Sequence, residues 1–372
     1  MSRRRKSSLG FISKTMFAAN ILAVILLLLS YLATVINPAD FWPIAFAGLA
    51  HPFLLLINLF FITYWLITLR PKIACMSVVV ILIGWQFVLN QIGFRESAAE
   101  EAPKSSKDVI RVMTYNVHYL KTMAFINDPE TREQMFDVIR REQPDVVCFQ
   151  EFLTHDNKDI DTEKTMIEIL QANHYYFVPF NLPNYEEIGL AIFSKLQIKN
   201  KGSILFPGTS RGNEAIYTDV EFNKKIFRVY NVHFQSIAFQ PADYKFLKKV
   251  EDASPDLKSS RRIGSRLKNA FIKRSQQVNL LKKNTLNCRI PFIVAGDFND
   301  TPVSYALQTM SKGLKNAFRE KGSGIGITYN GDFPNFQIDY ILTSPDFEIK
   351  NYRIIEKKLS DHYAVRSDVE LK

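Results

Sequence analysis

Three long apolar stretches occupy the first quarter of the chain. Segments 17–36 and 73–92 contain no charged residue, and segment 43–69 contains no formal charge. A membrane span needs ~20 apolar residues, because hydrocarbon offers exposed backbone groups no hydrogen-bond partner. The pattern predicts three transmembrane helices, at about 17–36, 43–69 and 73–92. The His51-Pro52 pair inside the second stretch favours one tilted or kinked helix.

A cleaved signal peptide is the competing interpretation of the first stretch. The basic residues Arg3 to Lys6 would suit the start of such a peptide. The apolar region of a signal peptide spans only ~7–15 residues, however. The first stretch of this chain is longer, and no small-x-small cleavage site follows it. A retained helix is therefore the favoured interpretation.

The placement of Lys and Arg predicts the orientation in the membrane. Five basic residues precede the first stretch, Arg70 and Lys72 lie between the second and third, and 37–40 carries none. This asymmetry predicts a cytoplasmic N-terminus. Three crossings would give a multi-pass inner (plasma) membrane protein with its remaining residues on the periplasmic or extracellular side.

Past residue 92 the apolar pattern changes to short runs separated by polar residues. Residues 93–108 are small, polar and charged, which predicts a linker. Residues 109–372 contain short β-branched and aromatic runs that predict strands, and segments 130–142 and 161–172 have helical spacing. This mixture indicates one α/β or α+β domain.

Polar side chains lie at the ends of six predicted strands or inside them. They are Asn116, Gln150 with Glu151, Asn231 with His233, Asp297 with Asn299, Asp339, and Asp361 with His362. Because strands hold their terminal side chains rigidly, such groups can converge on one pocket.

The types of these side chains indicate a chemistry. Carboxylate and amide oxygens suit Mg²⁺, Mn²⁺ or Ca²⁺, and histidines can transfer protons or donate hydrogen bonds near neutral pH. Because these groups are metal ligands and proton carriers, a metal-activated water is the simplest nucleophile. Together these features predict hydrolysis of phosphate esters.

The ordered motifs YNVH, QE, NVH, GDFN, IDYIL and SDH resemble those of the endonuclease/exonuclease/phosphatase superfamily. The resemblance covers about 109–372 and implies a four-layer α/β sandwich, with two mixed β-sheets face to face and helices outside. The stretch AGDFNDTPVSYA also resembles the membrane-anchored members found in Bacteroidetes-type bacteria.

The resemblance also implies roles for the metal and the attacking water. Glu151 would be the main ligand of Mg²⁺ (or Mn²⁺), with Asn116 and Asp361 completing its environment. Asp297 would position or deprotonate the water, and Asn299 would hold a phosphate oxygen.

Further roles concern the phosphate itself. The resemblance implies that His362, oriented by Asp339, stabilises the phosphorane or acts as an acid. His233 would contact the scissile phosphate or the leaving group. Arg211 and Asn231 are candidate substrate-binding residues, although Arg211 would equally suit a solvated loop.

Each residue taken singly also has a structural interpretation. Asn116 and Asn299 could cap turns, Asp339 could be an edge charge, and His233 could be a core histidine. His118 could lie at the edge of the site or on the surface. The joint occurrence of the motifs in one order favours the functional interpretation.

Composition and charge narrow the picture further. The chain is 47% hydrophobic and 23% charged, which excludes a disordered or fibrous protein. Its net charge is +10, of which segment 241–285 contributes +8, from 12 basic and 4 acidic residues. This segment predicts an amphipathic helix whose basic face binds polyanions or anionic lipid headgroups, or is simply solvated.

Several functions stay open on sequence grounds. The first is a metal-dependent phosphodiesterase, with nucleic acid the default substrate in this family. The second is a phosphatase or phospholipase-type enzyme acting on phospholipid headgroups or inositol phosphates, which membrane attachment favours. A catalytically silent binding domain is disfavoured by the intact motifs. No obligate protein partner is evident.

Overall fold

A computed structural model of the chain describes residues 10–96, 99, 101–156, 160–181, 187–208, 212–240, 243, 246, 257–331 and 335–372. The first part of it is helical. Its helices are α1 (Phe11–Leu32), α2 (Pro43–Leu49), α3 (His51–Ile67), α4 (Pro71–Ile83) and α5 (Trp85–Leu89).

The prediction of three transmembrane helices is wrong for the described residues. Helix α1 is long and apolar enough to cross a membrane by itself. Helices α2 and α3 pass this test only together, and they meet at a 60° bend. Helix α4 has 13 residues, about 20 Å, against a hydrocarbon thickness of about 30 Å. The described residues therefore contain one candidate span, or up to two if the bent pair counts as one.

Helices α1, α3 and α4 form what we call the N-terminal bundle. A buried network of polar side chains joins these three helices. The Asn20 Nδ2 donates to Ser77 Oγ (2.7 Å), and Ser77 Oγ donates to Asn58 Oδ1 (2.9 Å). The Trp65 Nε1 donates to Asn20 Oδ1 (2.9 Å), and Asn58 Nδ2 donates to the Ala23 carbonyl (3.1 Å). Polar groups thus lie inside the bundle, where each pairs with another helix.

The remainder of the chain contains two six-stranded sheets. The strands of sheet 1, in spatial order, are β15 (Phe347–Ile355), β16 (Ala364–Leu371), β2 (Val109–Asn116), β3 (Val146–Leu153), β7 (Glu187–Ser194) and β6 (His174–Asn181). Those of sheet 2 are β12 (Lys315–Asn316), β14 (Asp339–Thr343), β11 (Phe292–Asp297), β10 (Lys225–His233), β9 (Glu214–Phe222) and β8 (Gln197–Leu205).

Each sheet has one parallel pair at its centre, β2 with β3 and β10 with β11, among antiparallel neighbours. The two sheets are therefore mixed, as predicted. Two short strand pairs lie outside them, β1 (Ile92–Phe94) with β13 (Ser323–Ile325), and β4 (His155–Asp156) with β5 (Ile160–Asp161).

Helices cover the outer faces of both sheets. Helices α6 (Pro129–Glu142) and α7 (Thr162–Leu170) pack on sheet 1 through a cluster that includes Met135 and Met166. Helices α8 (Leu257–Leu286) and α9 (Tyr305–Ser311) pack on sheet 2, and α10 (Ala317–Lys321) lies beside β14 and β15.

A third apolar cluster fills the space between the sheets. It contains Ile110 and Val112 of sheet 1 and Ile216 and Val229 of sheet 2, all fully buried. Both faces of β2 are buried along its whole length, so that even Arg111 and Thr114 lie inside the domain. The predicted four-layer α/β sandwich is confirmed.

The N-terminal helices contact the sandwich directly. Strand β1 pairs with β13, and the ring of Phe46 on α2 packs edge-on against Phe271 of α8, with centroids 5.3 Å apart. A Cβ added to Gly48 would lie 2.4 Å from the Val303 carbonyl oxygen, so only glycine permits this approach of α2.

Helix α8 contains residues 257–285 of the basic segment 241–285. As predicted, it buries an apolar face that includes Ile263, Leu267 and Phe271. Part of its charge has partners within the chain: Arg262 and Arg266 make ion pairs with Asp243. The helix is thus part of the packed structure.

Candidate active site

One cavity of about 790 Å³ opens where the central strands of both sheets end. Seven of the predicted residues line it together with the previously ambiguous His118. The predicted residues are Asn116, Glu151, His233, Asp297, Asn299, Asp361 and His362. Asp339 lies behind them, bonded to His362.

The parallel strand pair β2–β3 positions Asn116 and Glu151. Asn116 ends β2 opposite Gln150, and Glu151 follows at a bulge in β3, with a left-handed φ of 53°. A bulge re-aims the side chain that it carries. The Glu151 carboxylate consequently leaves the sheet face and points at the cavity, 3.8 Å from His233 Nε2.

The pairing of the strands in sheet 2 places His233, Asp297 and Asp339 side by side. His233 of β10 is the partner of Asp297 in β11, and Asp297 is the partner of Asp339 in β14. A Cβ added to Gly296 would lie 2.1 Å from the Val232 carbonyl oxygen, and the Gly296 φ of 147° disfavours any other residue. The glycine of GDFN therefore allows β11 to align Asp297 with His233.

His362 and Asp339 form a buried pair. The His362 Nδ1 lies 2.9 Å from Asp339 Oδ2. Since an ionised carboxylate can only accept, Nδ1 donates and Nε2 faces the cavity, 3.7 Å from Asp297 Oδ2. Burial alone would lower the pKa of His362, but the charges of Asp339, Asp297 and Asp361 outweigh burial and raise this pKa well above its ordinary value.

Asp297 is held by three hydrogen bonds from amides. Its Oδ1 accepts from the Asn299 backbone N–H (2.7 Å), and its Oδ2 accepts from the side chains of Asn116 and Asn299 (3.1 Å each). Burial raises the pKa of Asp297 to about 6, the charge of His362 opposes this, and the charge of Asp339 adds to it. The carboxyl thus titrates closer to neutrality than an ordinary Asp.

His118 belongs to the site, which the sequence left undecided. It is buried, and its Nδ1 lies 3.3 Å from Asp361 Oδ1 and 4.0 Å from Glu151 Oε2. It begins a run of three residues with left-handed φ angles, His118, Tyr119 and Leu120. Backbone strain of this kind is frequent at functional sites. No sequence pattern predicted the left-handed conformation of these three residues.

The charges around His118 and Asp361 shift both pKa values. Burial alone would lower the pKa of His118, but its hydrogen bond to Asp361 and the Asp361 charge raise it. Burial alone would raise the pKa of Asp361, but the charges of His362 and His118 lower it to about 2. Asp361 is therefore ionised throughout the neutral range.

The two predicted substrate-binding residues have a different placement. Asn231 is fully buried between the sheets, where it donates to the Phe149 and Ala191 carbonyls and accepts from Gln150. It does not line the cavity. These contacts favour a structural role over substrate binding. Arg211 lies outside the described residues.

The residues present fit a divalent cation. Asp297, Asp339 and His362 bring ligand atoms within 4.8 Å of one another. Two of these residues, His362 and Asp339, already share a hydrogen bond, whereas Glu151 and Asp361 present carboxylates near His118. Within the described part of the chain, the buried Nε2 atoms of His118 and His233 have no hydrogen-bond partner. Hard oxygen donors beside such atoms suit Mg²⁺ or Mn²⁺.

The fold and the site define a class of protein, the phosphoester hydrolases built on a four-layer sandwich. The chain belongs to the endonuclease/exonuclease/phosphatase family, whose model matches residues 113–362. Residues 13–91 match a second model, a domain of unknown function (DUF8431). No curated protein matches the chain.

Solved structures share the fold. An endonuclease/exonuclease/phosphatase from Bacteroides vulgatus has a TM-score of 0.52 at 19% identity, covering 71% of this chain and 99% of its own. The human Nocturnin catalytic domain with bound sulfate anion has 0.50 at 18%, covering 71% and 94%. Danio rerio (D. rerio) TDP2 complexed with single strand DNA product has 0.50 at 16%, covering 70% and 99%.

Proposed function

We propose that the chain is a divalent-metal-dependent phosphodiesterase attached to a membrane by its N-terminal helices. The observation that carries this proposal is the convergence of Asn116, Glu151, Asp297, Asp361 and His362 on one cavity. Acidic, amide and imidazole groups in that arrangement suit the charge that develops on phosphoryl oxygens during hydrolysis.

Asp297 is the proposed general base. Its amide hydrogen bonds orient the carboxylate, and a pKa of about 6 leaves it mostly ionised at neutral pH yet able to accept a proton. The attacking water gives up one proton as its oxygen bonds to phosphorus. One P–O ester bond breaks, and the departing oxygen leaves as an alcohol once it has gained a proton.

His362 is the proposed donor to the phosphoryl oxygens. Its raised pKa keeps a proton on Nε2, and the Asp339 carboxylate fixes the ring. The His233 Nδ1 donates to the Gly212 carbonyl (2.9 Å), which leaves its Nε2 for the phosphate or the leaving group. Asn299, beside Asp297, would contact a phosphate oxygen.

Glu151, Asn116 and Asp361 are the proposed holders of Mg²⁺ or Mn²⁺. A bound cation would polarise the phosphate and lower the pKa of bound water. The Asn116 side chain is fixed by its bond to Asp297, and its Oδ1 accepts from the His118 backbone N–H (3.2 Å). Both contacts support a preformed site.

The polarity of the N-terminal bundle supports membrane attachment. Large apolar side chains, among them Leu22, Leu56, Phe60 and Leu82, are exposed on its outside, whereas Asn20 lies inside. Apolar exteriors with buried polar contacts suit helices in lipid. Because Asn20 on α1 bonds to Ser77 on α4, α1 is integral to the fold, which argues against a cleaved signal peptide.

Helix α1 is the proposed membrane anchor. The basic residues before it favour a cytoplasmic N-terminus. A single crossing would place the catalytic domain on the periplasmic or extracellular side of the inner (plasma) membrane, whereas two crossings would return it to the cytoplasm. A reporter fused after Lys372 distinguishes the two arrangements.

The activity is tested with the full-length chain in detergent micelles. We expect hydrolysis of bis(4-nitrophenyl) phosphate that EDTA abolishes and added Mg²⁺ or Mn²⁺ restores. Plasmid DNA and single-stranded oligonucleotides are tested as further substrates, since nucleic acid is the substrate expected from the family. Hydrolysis that is unchanged in excess chelator would refute the metal-dependent mechanism.

A further inference from the structure

The cavity has a polar floor and an apolar wall. The phosphoester machinery forms the floor, whereas one side of the cavity is lined by Leu49, Ile237, Phe239, Leu267 and Phe271. A phosphate group alone needs no such wall, and a charged polymer backbone gains nothing from it. The wall therefore indicates a substrate with an apolar part beside its phosphate.

This wall is built by two distant parts of the chain. Leu49 ends α2, and Leu267 and Phe271 lie on α8. The three side chains belong to one apolar cluster that Phe46 and Ile237 complete. The N-terminal region thus contributes directly to the catalytic cavity.

The apolar surface continues from the cavity to the bundle. Helix α3 begins two residues after Leu49, and its Phe53 ring packs edge-on against Phe336, with centroids 6.5 Å apart. Phe336 lines both the catalytic cavity and a second cavity of about 310 Å³ beside Pro52 and Phe53. Apolar side chains therefore extend from the catalytic cavity to the exposed apolar side of α3, where Leu56 is 63% exposed.

Three cations of α8, on or near the cavity, already have partners. Arg274 lines the cavity and lies 3.5 Å from Asp300, and Arg262 lies 2.7 Å from Asp243. The Lys268 ammonium lies over the Trp42 ring, 4.9 Å from its centroid. A nucleic-acid strand needs cations along its backbone and exposed stacking rings. With these three cations engaged, this part of α8 offers such a strand less free charge.

We propose that the substrate is a membrane phospholipid, bound with its phosphodiester on the catalytic floor and an acyl chain along the apolar wall. This inference rests on the proposed phosphodiesterase function. Burial of the chain would supply binding free energy, and entry beside α3 would let the lipid reach the cavity from the bilayer surface.

The experiment compares matched substrates with and without acyl chains. The full-length chain in micelles, with Mn²⁺, is given glycerophosphoethanolamine, glycerophosphoglycerol and the dihexanoyl ester of each. We expect kcat/KM to be about 100-fold or more higher for the dihexanoyl esters, because apolar area is buried only with them.

A variant of the wall tests where the chain binds. Leu49→Asn places an amide in the wall, and we expect it to lower the ratio of the two kcat/KM values about 10-fold. Leu205→Asn is the matched control, since Leu205 is 70% exposed on β8 and does not line the cavity; it should leave the ratio unchanged. Circular dichroism and thermal unfolding verify that both variants fold.

The outcomes separate this inference from the proposed function. Equal kcat/KM values with and without chains, preferential cleavage of an oligonucleotide, or an unchanged ratio in Leu49→Asn would overturn the phospholipid assignment while leaving the phosphodiesterase intact. Failure to hydrolyse bis(4-nitrophenyl) phosphate and every other diester, with metal present and the fold verified, would overturn both.

Discussion

The His362 imidazole owes its orientation to one carboxylate. Asp339 is buried in β14 and contacts Nδ1, so the proton on Nε2 stays aimed at the cavity. The same arrangement at exposed residues would be weakened by water and by rotation of the ring. Burial of the pair is what makes a single donor effective.

Loss of this donor should slow turnover. We expect His362→Ala to reduce kcat by about 10²–10³-fold, since one donor to a transition-state oxyanion contributes that much, while substrate still binds. Asp339→Asn should lose part of the same factor. The double variant should be less than additive because the two residues act as a unit. Rates of the four proteins on one diester test this, and full additivity would contradict the pair.

Glu151 offers a test of the metal site that is independent of turnover. Glu151→Gln keeps the shape of the side chain and removes its charge, so Mn²⁺ affinity should fall about 10-fold or more. Electron paramagnetic resonance of free Mn²⁺ measures this directly. Glu168→Gln, at an exposed position of α7, is the matched control. Equal affinity in the two variants would place the cation elsewhere, with the Asp297, Asp339 and His362 group the next candidate.

At the scale of elements, polar contacts determine how the apolar helices pair. Apolar surfaces alone are compatible with many helix arrangements, because one apolar helix face can pack on another in several registers. The hydrogen bonds among Asn20, Ser77 and Asn58 can all form in only one register of α1, α3 and α4. The network thus selects one bundle among several of similar apolar burial.

Breaking this network should destabilise the bundle. Ser77→Ala leaves the Asn20 amide N–H and the Asn58 carbonyl without their partner, so we expect unfolding in micelles to become easier by about 1–2 kcal/mol. Titration with a denaturing detergent measures this. The control is Ser13→Ala, near the start of α1 and outside the network. Equal stability of the two variants would show that the network contributes nothing.

For the whole molecule, the contact between α2 and α8 ties the N-terminal region to the catalytic domain. Phe46 and Leu49 cover Ile263, Leu267 and Phe271, so removing the N-terminal helices would expose these three side chains to water. Full exposure of such a side chain costs roughly 1.5–3 kcal/mol. The sandwich is therefore not expected to behave as a fully independent unit.

Truncation tests this dependence. We expect 109–372 alone to have a lower Tm than the domain within the full chain and to bind a hydrophobic dye or self-associate. Thermal scans and size-exclusion chromatography with light scattering measure both properties. A monomeric fragment whose Tm equals that of the full chain would mean that the contact is dispensable, and it would support the predicted boundary at 109.

Much of the catalytic half could be predicted because its determinants are local. Asp297 directly follows a buried apolar run, and a strand end fixes such a side chain whatever surrounds it. The family and the two mixed sheets with flanking helices were confirmed on this basis. The roles of the individual site residues stay predictions. The sequence did not predict whether His118 lies at the site or on the surface. Its burial depends on a strained turn and on Asp361, which is far away in sequence.

The sequence by itself determined the polar residues at the ends of several central strands and the apolar character of the first quarter. Only the tertiary structure decided how many apolar stretches are long, straight candidate spans, since hydropathy measures the transfer of a segment and not the 60° bend in its axis. Tertiary packing also buried Asn231 between the sheets and brought Leu49 beside Leu267. Contacts between residues so far apart arise from packing, which no local pattern records.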